Sequence, residues 1–296
     1  MSFLGSRSIV FLGTPEPAAR VLSHLIAEGF PVESVVTRRD ARRGRGGELS
    51  ASPVKRTALD AGIDVHHDLE WLAATEVKNR LGVVVAYGRI IPARILATTP
   101  MVNLHFSLLP RWRGAAPVER AILAGDERTG VCVMDVVEEL DAGGVYARAE
   151  VAIGQMNAAT LTDTLADVGA RLLGEFLRGE SLDPVPQSGE AIYAEKIRAD
   201  EGVIDWTSDA SMVARVVRAL RAHTTVDGRR LIVHEARECG PDVAVPDGPP
   251  GTCDGNGVVV CGSGAVRLVT VQPEGRASMD AEQWRRGRRE QFLHLG

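Results

Sequence analysis

The sequence has few aromatic residues, 4% of 296, and no apolar run that approaches the ~20 residues of a membrane-crossing helix. The segment 1–12 holds one arginine and is broken by Gly5 and Ser6, which is not the layout of a secretory leader. A cytoplasmic location without membrane association is therefore expected. Cys132, Cys239, Cys253 and Cys261 form no C-x-x-C pair. With that spacing missing, the four are expected to be small buried or loop thiols, and no metal site is expected. His66 and His67 have no partners at ligand spacing. A G-x-G-x-x-G turn, a phosphate-binding P-loop and a G-x-S-x-G elbow are also missing, which leaves dinucleotide, nucleoside triphosphate and serine-hydrolase chemistry without their usual residues. Positive charge is short as well. The net charge is −5, so any contact with nucleic acid phosphate must come from local patches. Two are available, Arg38, Arg39, Arg42, Arg43 and Arg45 in one segment and Arg285, Arg286, Arg288 and Arg289 near the end.

What is present is the composition of an ordinary globular protein, 45% hydrophobic and 25% charged. At roughly 150 residues per domain, the length suggests two units. Residues 8–12 form a short apolar run ending in Gly13-Thr14-Pro15, the pattern of a buried strand feeding a turn. Ala18, Val21, Leu22, Leu25 and Ile26 then recur at helical spacing, Gly29 marks a stop, and residues 32–36 read as a second strand. Strand, helix and strand in this order make a βαβ unit, whose parallel strands need a covering helix. Ser52 and Pro53 open a further helix as cap and first-turn residue, and Gly62 ends it. Residues 82–86, 131–136 and 145–151 read as further strands, and 117–124 and 160–176 as helices. Residues 179–187, with Pro184 and Pro186, start a linker. Beyond Trp206 come one helix, 211–220, and short apolar runs at 231–234, 258–261 and 265–271, the spacing of a small β-barrel or sandwich.

The chemistry concentrates on the predicted strand 101–107. Alternation puts Val102, Leu104 and Phe106 on one face and Asn103, His105 and Ser107 on the other. Asp141 lies in the glycine-bearing segment Leu140-Asp141-Ala142-Gly143-Gly144. An amide, an imidazole and a carboxylate suffice to move an acyl group to an amine without a covalent enzyme intermediate. The amide donates to the oxygen on which charge develops, the imidazole carries the proton, and the carboxylate orients the ring. A strand-borne Asn and His that merely satisfy backbone groups, with an Asp that merely forms a turn, fit the same spacing.

The run Asn103-Leu104-His105-Phe106-Ser107-Leu108-Leu109-Pro110-Arg111-Trp112-Arg113-Gly114-Ala115-Ala116-Pro117 resembles the 10-formyltetrahydrofolate-dependent formyltransferases, and within them the methionyl-tRNA branch. Thr129-Gly130-Val131, Leu140-Asp141-Ala142-Gly143, Val84-Val85-Ala86-Tyr87-Gly88, Tyr193-Ala194-Glu195-Lys196-Ile197 and Ile204-Asp205-Trp206 extend the similarity over nearly the whole chain. The resemblance implies an α/β fold, with a Rossmann-like, mostly parallel catalytic domain over 1–185, a linker over 186–205 and an OB-like, tRNA-binding β-barrel over 206–296. It implies catalysis by Asn103, His105 and Asp141, folate contact through Ser107, Leu108, Leu109 and Pro110, and tRNA contact through Arg45 and Arg42. The implied reaction takes the formyl group of 10-formyltetrahydrofolate to initiator methionyl-tRNA, giving N-formylmethionyl-tRNA for translation initiation, by a monomer. The rival within the family is a different amine, such as that of a sugar nucleotide. Two departures stand out: Phe106 occupies a position where many members carry glycine, and Arg221-Ala222-His223 follows Leu220 in place of a Pro-Trp-Pro segment.

Overall fold

A computed structural model describes residues 7–43, 47–74, 79–179, 183–288 and 290–296. The apolar runs become strands buried on both faces. In β1 (Ser8–Gly13) every residue after the first is buried, and β6 (Arg80–Val85) is buried throughout, as strands between two covering layers must be. Between them lie α1 (Glu16–Ala27), β2 (Val32–Val36), a hairpin of β3 (Ala41–Arg43) and β4 (Glu48–Ser50), α2 (Pro53–Asp60), β5 (Asp64–His66) and α3 (Glu70–Ala74). The helices obey their sequence signals. Ala18, Val21, Leu22 and Leu25 of α1 are buried, and the Ser52 hydroxyl caps α2 by accepting from the Lys55 N–H at 3.0 Å.

After β6 come α4 (Ala93–Leu96), β7 (Met101–His105), β8 (Arg111–Gly114), α5 (Pro117–Ala124), β9 (Arg128–Asp135), β10 (Val145–Ala152), α6 (Ala158–Arg178) and β11 (Ile192–Ala194). The main sheet runs β10-β9-β7-β6-β1-β2-β5. From β7 to β5 all neighbours are parallel, and β9 and β10 add an antiparallel flank. The chain lays β2 and β5 on one side of β1 and then crosses to β6 on the other. This opens a crevice beyond the carboxyl ends of β1 and β6, with β7 beside it.

Three features differ from the sequence reading. The strand expected over 101–107 stops at His105, because the Ser107 hydroxyl donates to the Arg111 carbonyl at 2.6 Å and closes a turn into β8. The arginine segment read as a loop folds partly as the β3–β4 hairpin, with Arg42 opposite Leu49. Within the stretch read as linker, Ile192–Ala194 is a strand pairing in parallel with β8.

By contact the chain forms two compact units, and they are not contiguous in sequence. Residues 118–127 and 153–159 group with 196–296, while 1–117, 128–152 and 160–195 form the first unit. In the second unit, α7 (Ala210–Ala219) and α8 (Ala281–Arg286) accompany β12 (His223–Val226), β13 (Arg229–Glu238), β14 (Thr252–Cys253), β15 (Val258–Val260), β16 (Ala265–Pro273), β17 (Met279–Asp280) and β18 (Leu293–His294). The sheet order is β12-β13-β16-β15-β14-β18, with β17 on β16 and every pair antiparallel. The Gly296 N–H, just past β18, donates to Thr225 O of β12 at 3.1 Å. This bond brings the two ends of the order together into a nearly closed barrel. Trp206, Val213, Leu231, Val259 and Leu268 fill it, and the Trp206 indole N–H is satisfied by Thr224 Oγ1 at 3.0 Å. No helix among the described residues is long and apolar enough to cross a membrane.

Candidate active site

Strand β7 supplies two of the three predicted side chains, and its pleat separates core from chemistry. Leu104 packs on α6, where a methyl group on Gly169 would come within 2.8 Å of it. Asn103 and His105 project from the opposite face. The His105 side chain is only 6% exposed. Its Nε2 lies 2.8 Å from the Trp112 carbonyl. A carbonyl oxygen accepts only, so Nε2 carries a hydrogen and Nδ1 is the nitrogen left to gain or lose a proton. Nδ1 faces Asp141 Oδ2 at 3.6 Å. Asn103 Nδ2 is 3.5 Å from Asp141 Oδ1, a long contact, and the second N–H of the amide stays available to an incoming oxygen.

Asp141 reaches this point on the connection between β9 and β10. Its carboxylate is fixed by a peptide group, the Gly114 N–H donating to Oδ2 at 2.8 Å. Its φ of 49° lies in the left-handed region that aspartate tolerates better than most residues. Neighbouring Gly143 is there of necessity, since a Cβ would sit 2.0 Å from the Asp135 carbonyl. Gly114 is equally constrained, with φ 117° and the Ala194 carbonyl 2.8 Å from where its Cβ would be. The structure thus brings Asn103, His105 and Asp141 together, and β8 binds two of them through main-chain atoms.

Cys132 lies directly opposite His105 on β9. Burial pushes its thiol pKa up, so it stays a neutral packing group and offers no competing nucleophile. Among the described residues, no group of three or more His, Cys, Asp or Glu side chains could hold a metal.

The segment 107–110 divides in two. Ser107 and Leu109 turn inward, Ser107 onto the carbonyls of β8 and Leu109 against Cys132, Met134 and Val145. Leu108 and Pro110 are half-buried. Arg42 is exposed on β3, and Arg45 lies outside the described residues. One participant has no signal in the sequence. Gln187 Nε2 donates to the carbonyls of Asp141 and Gly143, each at 2.8 Å, and its Oε1 accepts from Arg113 Nε and Nη2 at 3.0 and 2.8 Å.

A two-domain α/β chain whose sheet carries this amide, imidazole and carboxylate belongs to the formyl transferase family, whose model matches residues 6–177, with the formyl transferase C-terminal domain over 196–289. Its relatives include the methionyl-tRNA formyltransferase of Methylococcus capsulatus, 42% identical over 93% of this chain and 94% of that protein. That of Symbiobacterium thermophilum is 41% identical over 94% and 92%. The fold is shared with the methionyl-tRNA formyltransferase of Clostridium thermocellum, at TM-score 0.56, 16% identity and coverage of 80% and 96%. It is also shared with an N-formyltransferase of Helicobacter canadensis solved with folinic acid and dTDP-3-aminofucose, at TM-score 0.68, 14% identity and coverage of 90% and 99%.

Proposed function

We propose that this chain moves the formyl group of 10-formyltetrahydrofolate to the amino group of initiator methionyl-tRNA, yielding N-formylmethionyl-tRNA for translation initiation. The reading is carried by the convergence of Asn103, His105 and Asp141 at the mouth of the sheet. It is supported by relatives about 40% identical over most of the chain that bear the methionyl-tRNA name. The site suits a formyl donor, because one amide N–H, one imidazole nitrogen and one carboxylate converge there, and direct transfer to an amine uses neither a metal nor an enzyme nucleophile. The folate supplies the one-carbon unit.

The methionyl nitrogen attacks the formyl carbon and a C–N bond forms. Asn103 Nδ2 donates to the oxygen as negative charge develops, a role in which one donor contributes about 10² to 10³ in rate. His105 Nδ1 takes the proton released by the nitrogen, while Nε2 stays on the Trp112 carbonyl so that the ring cannot turn away. Asp141 Oδ2, held by Gly114, faces Nδ1 and stabilises it once charged. His105 then returns that proton to the departing folate nitrogen as its C–N bond breaks. Leu108 and Pro110 offer apolar surface for the folate ring, with Ser107 and Leu109 supporting them from within. Arg42 and Arg45 take tRNA phosphates, for which a planar guanidinium is suited. The chain acts as a monomer in the cytoplasm.

Formylation kinetics with methionyl-tRNA test this reading. Asn103→Ala and His105→Ala are expected to lower kcat by about 10² to 10³. A turnover within tenfold of the parent for either variant, or preferred formylation of a nucleotide-linked amino sugar, would overturn it.

A further inference from the structure

We propose that Gln187 is the positioning residue of this site, setting the Asp141 carboxylate against His105 by gripping the backbone of the loop that carries it. The inference rests on the catalytic role proposed for Asp141.

Both N–H groups of the Gln187 amide are spent on the loop, one on the Asp141 carbonyl and one on the Gly143 carbonyl, each at 2.8 Å. The amide has no third donor to give. Its oxygen accepts from Nε and Nη2 of Arg113, and that fork fixes which end of the amide faces the loop. Arg113 immediately precedes Gly114, whose N–H holds the Asp141 carboxylate. One strand therefore secures the aspartate twice, directly at its carboxylate and through Gln187 at its main chain.

The geometry explains why a second hold is needed. Asp141 sits at φ 49°, a conformation that persists only where surroundings impose it. Residues 137–140 just before it are exposed, so no core packing steadies the approach. The His105 Nδ1 to Asp141 Oδ2 separation of 3.6 Å lies within ion-pair reach but beyond hydrogen-bond length, so a small rotation of the loop would carry the carboxylate out of reach. Without Gln187 both carbonyls would turn to water, leaving Asp141 held at its side chain by the Gly114 N–H and the long Asn103 contact, with its main chain released.

The experiment is a double-mutant cycle on the full-length enzyme, with methionyl-tRNA and 10-formyltetrahydrofolate as substrates. Gln187→Ala is expected to lower kcat by about 100-fold, the scale of an ångström-sized misplacement, with KM for both substrates within about twofold. In an Asp141→Asn background the same change is expected to cost less than about twofold more, because the carboxylate it positions is gone. Gln187→Glu keeps the shape and the Arg113 fork but points oxygen at two carbonyls. It is expected to lose as much turnover while the enzyme stays folded at the assay temperature, as a melting curve checks. A kcat for Gln187→Ala within about threefold of the parent, a loss that falls on KM, or losses that multiply in full across the two backgrounds would overturn the proposal. So would failure of both Gln187 variants to fold, since the bonds would then hold the domain and not the loop. If Asp141→Asn alone stays within about tenfold of the parent, the role of Asp141 fails instead. An impaired Asp141→Asn beside an intact Gln187→Ala removes the positioning role alone.

Discussion

Strand β8 and the β3–β4 hairpin each carry an arginine, Arg113 and Arg42, in opposite surroundings. The Arg113 side chain on β8 is 11% exposed, and its donors go to Gln187 Oε1 and Glu139 Oε1. Arg42 on the hairpin is exposed, and the residue across from it, Leu49, is 73% exposed, so this facing pair lies open to water. A guanidinium whose fork is consumed by its own chain acts as a bracket. One that faces water leaves its fork open to solvent. Arginine counts in the sequence do not separate the two, and burial does.

The largest expected effect tests whether the bracketed side is as rigid as this contrast requires. Gly143→Ala places a methyl group 2.0 Å from the Asp135 carbonyl, so the loop must move, and kcat is expected to fall by about 100-fold with KM little changed. Arg113→Lys comes next. It keeps the charge and loses the fork on Gln187, and steady-state assays should show kcat down by about tenfold. The hairpin should behave differently. Arg42→Ala is expected to raise KM for methionyl-tRNA about fivefold and to reduce the salt slope of binding by about one, while Arg42→Lys restores both. A large kcat effect at Arg42, or tolerance of lysine at 113, would dissolve the distinction.

The smallest effect concerns a third arginine, Arg120 in the second unit. Its guanidinium, with the Arg198 N–H, holds the Glu201 carboxyl down to about 2, against 4.5 ordinarily. A lowered carboxylate pKa stabilises the fold in full above pH 4.5, and that contribution disappears as pH falls through 2. Glu201→Gln should therefore flatten acid unfolding in this window, by on the order of 1 kcal/mol for this half-buried pair.

Much of the first unit was legible because its signals are local. Alternation along β7 separated Asn103 and His105 from the core, and Ser52 and Pro53 announced a helix that starts where they say. Ser107 did not follow the alternation, because its hydroxyl bonds the carbonyls of Arg111 and Trp112 and ends the strand. Gln187 was invisible for a related reason. Its partners are peptide carbonyls 44 and 46 positions away, and every residue has a carbonyl, so no pattern of side chains marks the pairing. In the barrel, β13 and β16 were apparent as apolar runs, but the two-residue strands β14, β17 and β18 are too short to show any period.

The bonds that β8 makes to His105 and Asp141 come from the Trp112 carbonyl and the Gly114 N–H, which belong to the main chain. A scan that exchanges side chains one at a time leaves the Trp112 carbonyl in place whatever residue stands there, and so undercounts what this strand contributes. Replacing the amide that precedes residue 114 with an ester would delete the donor while every side chain stayed as it is.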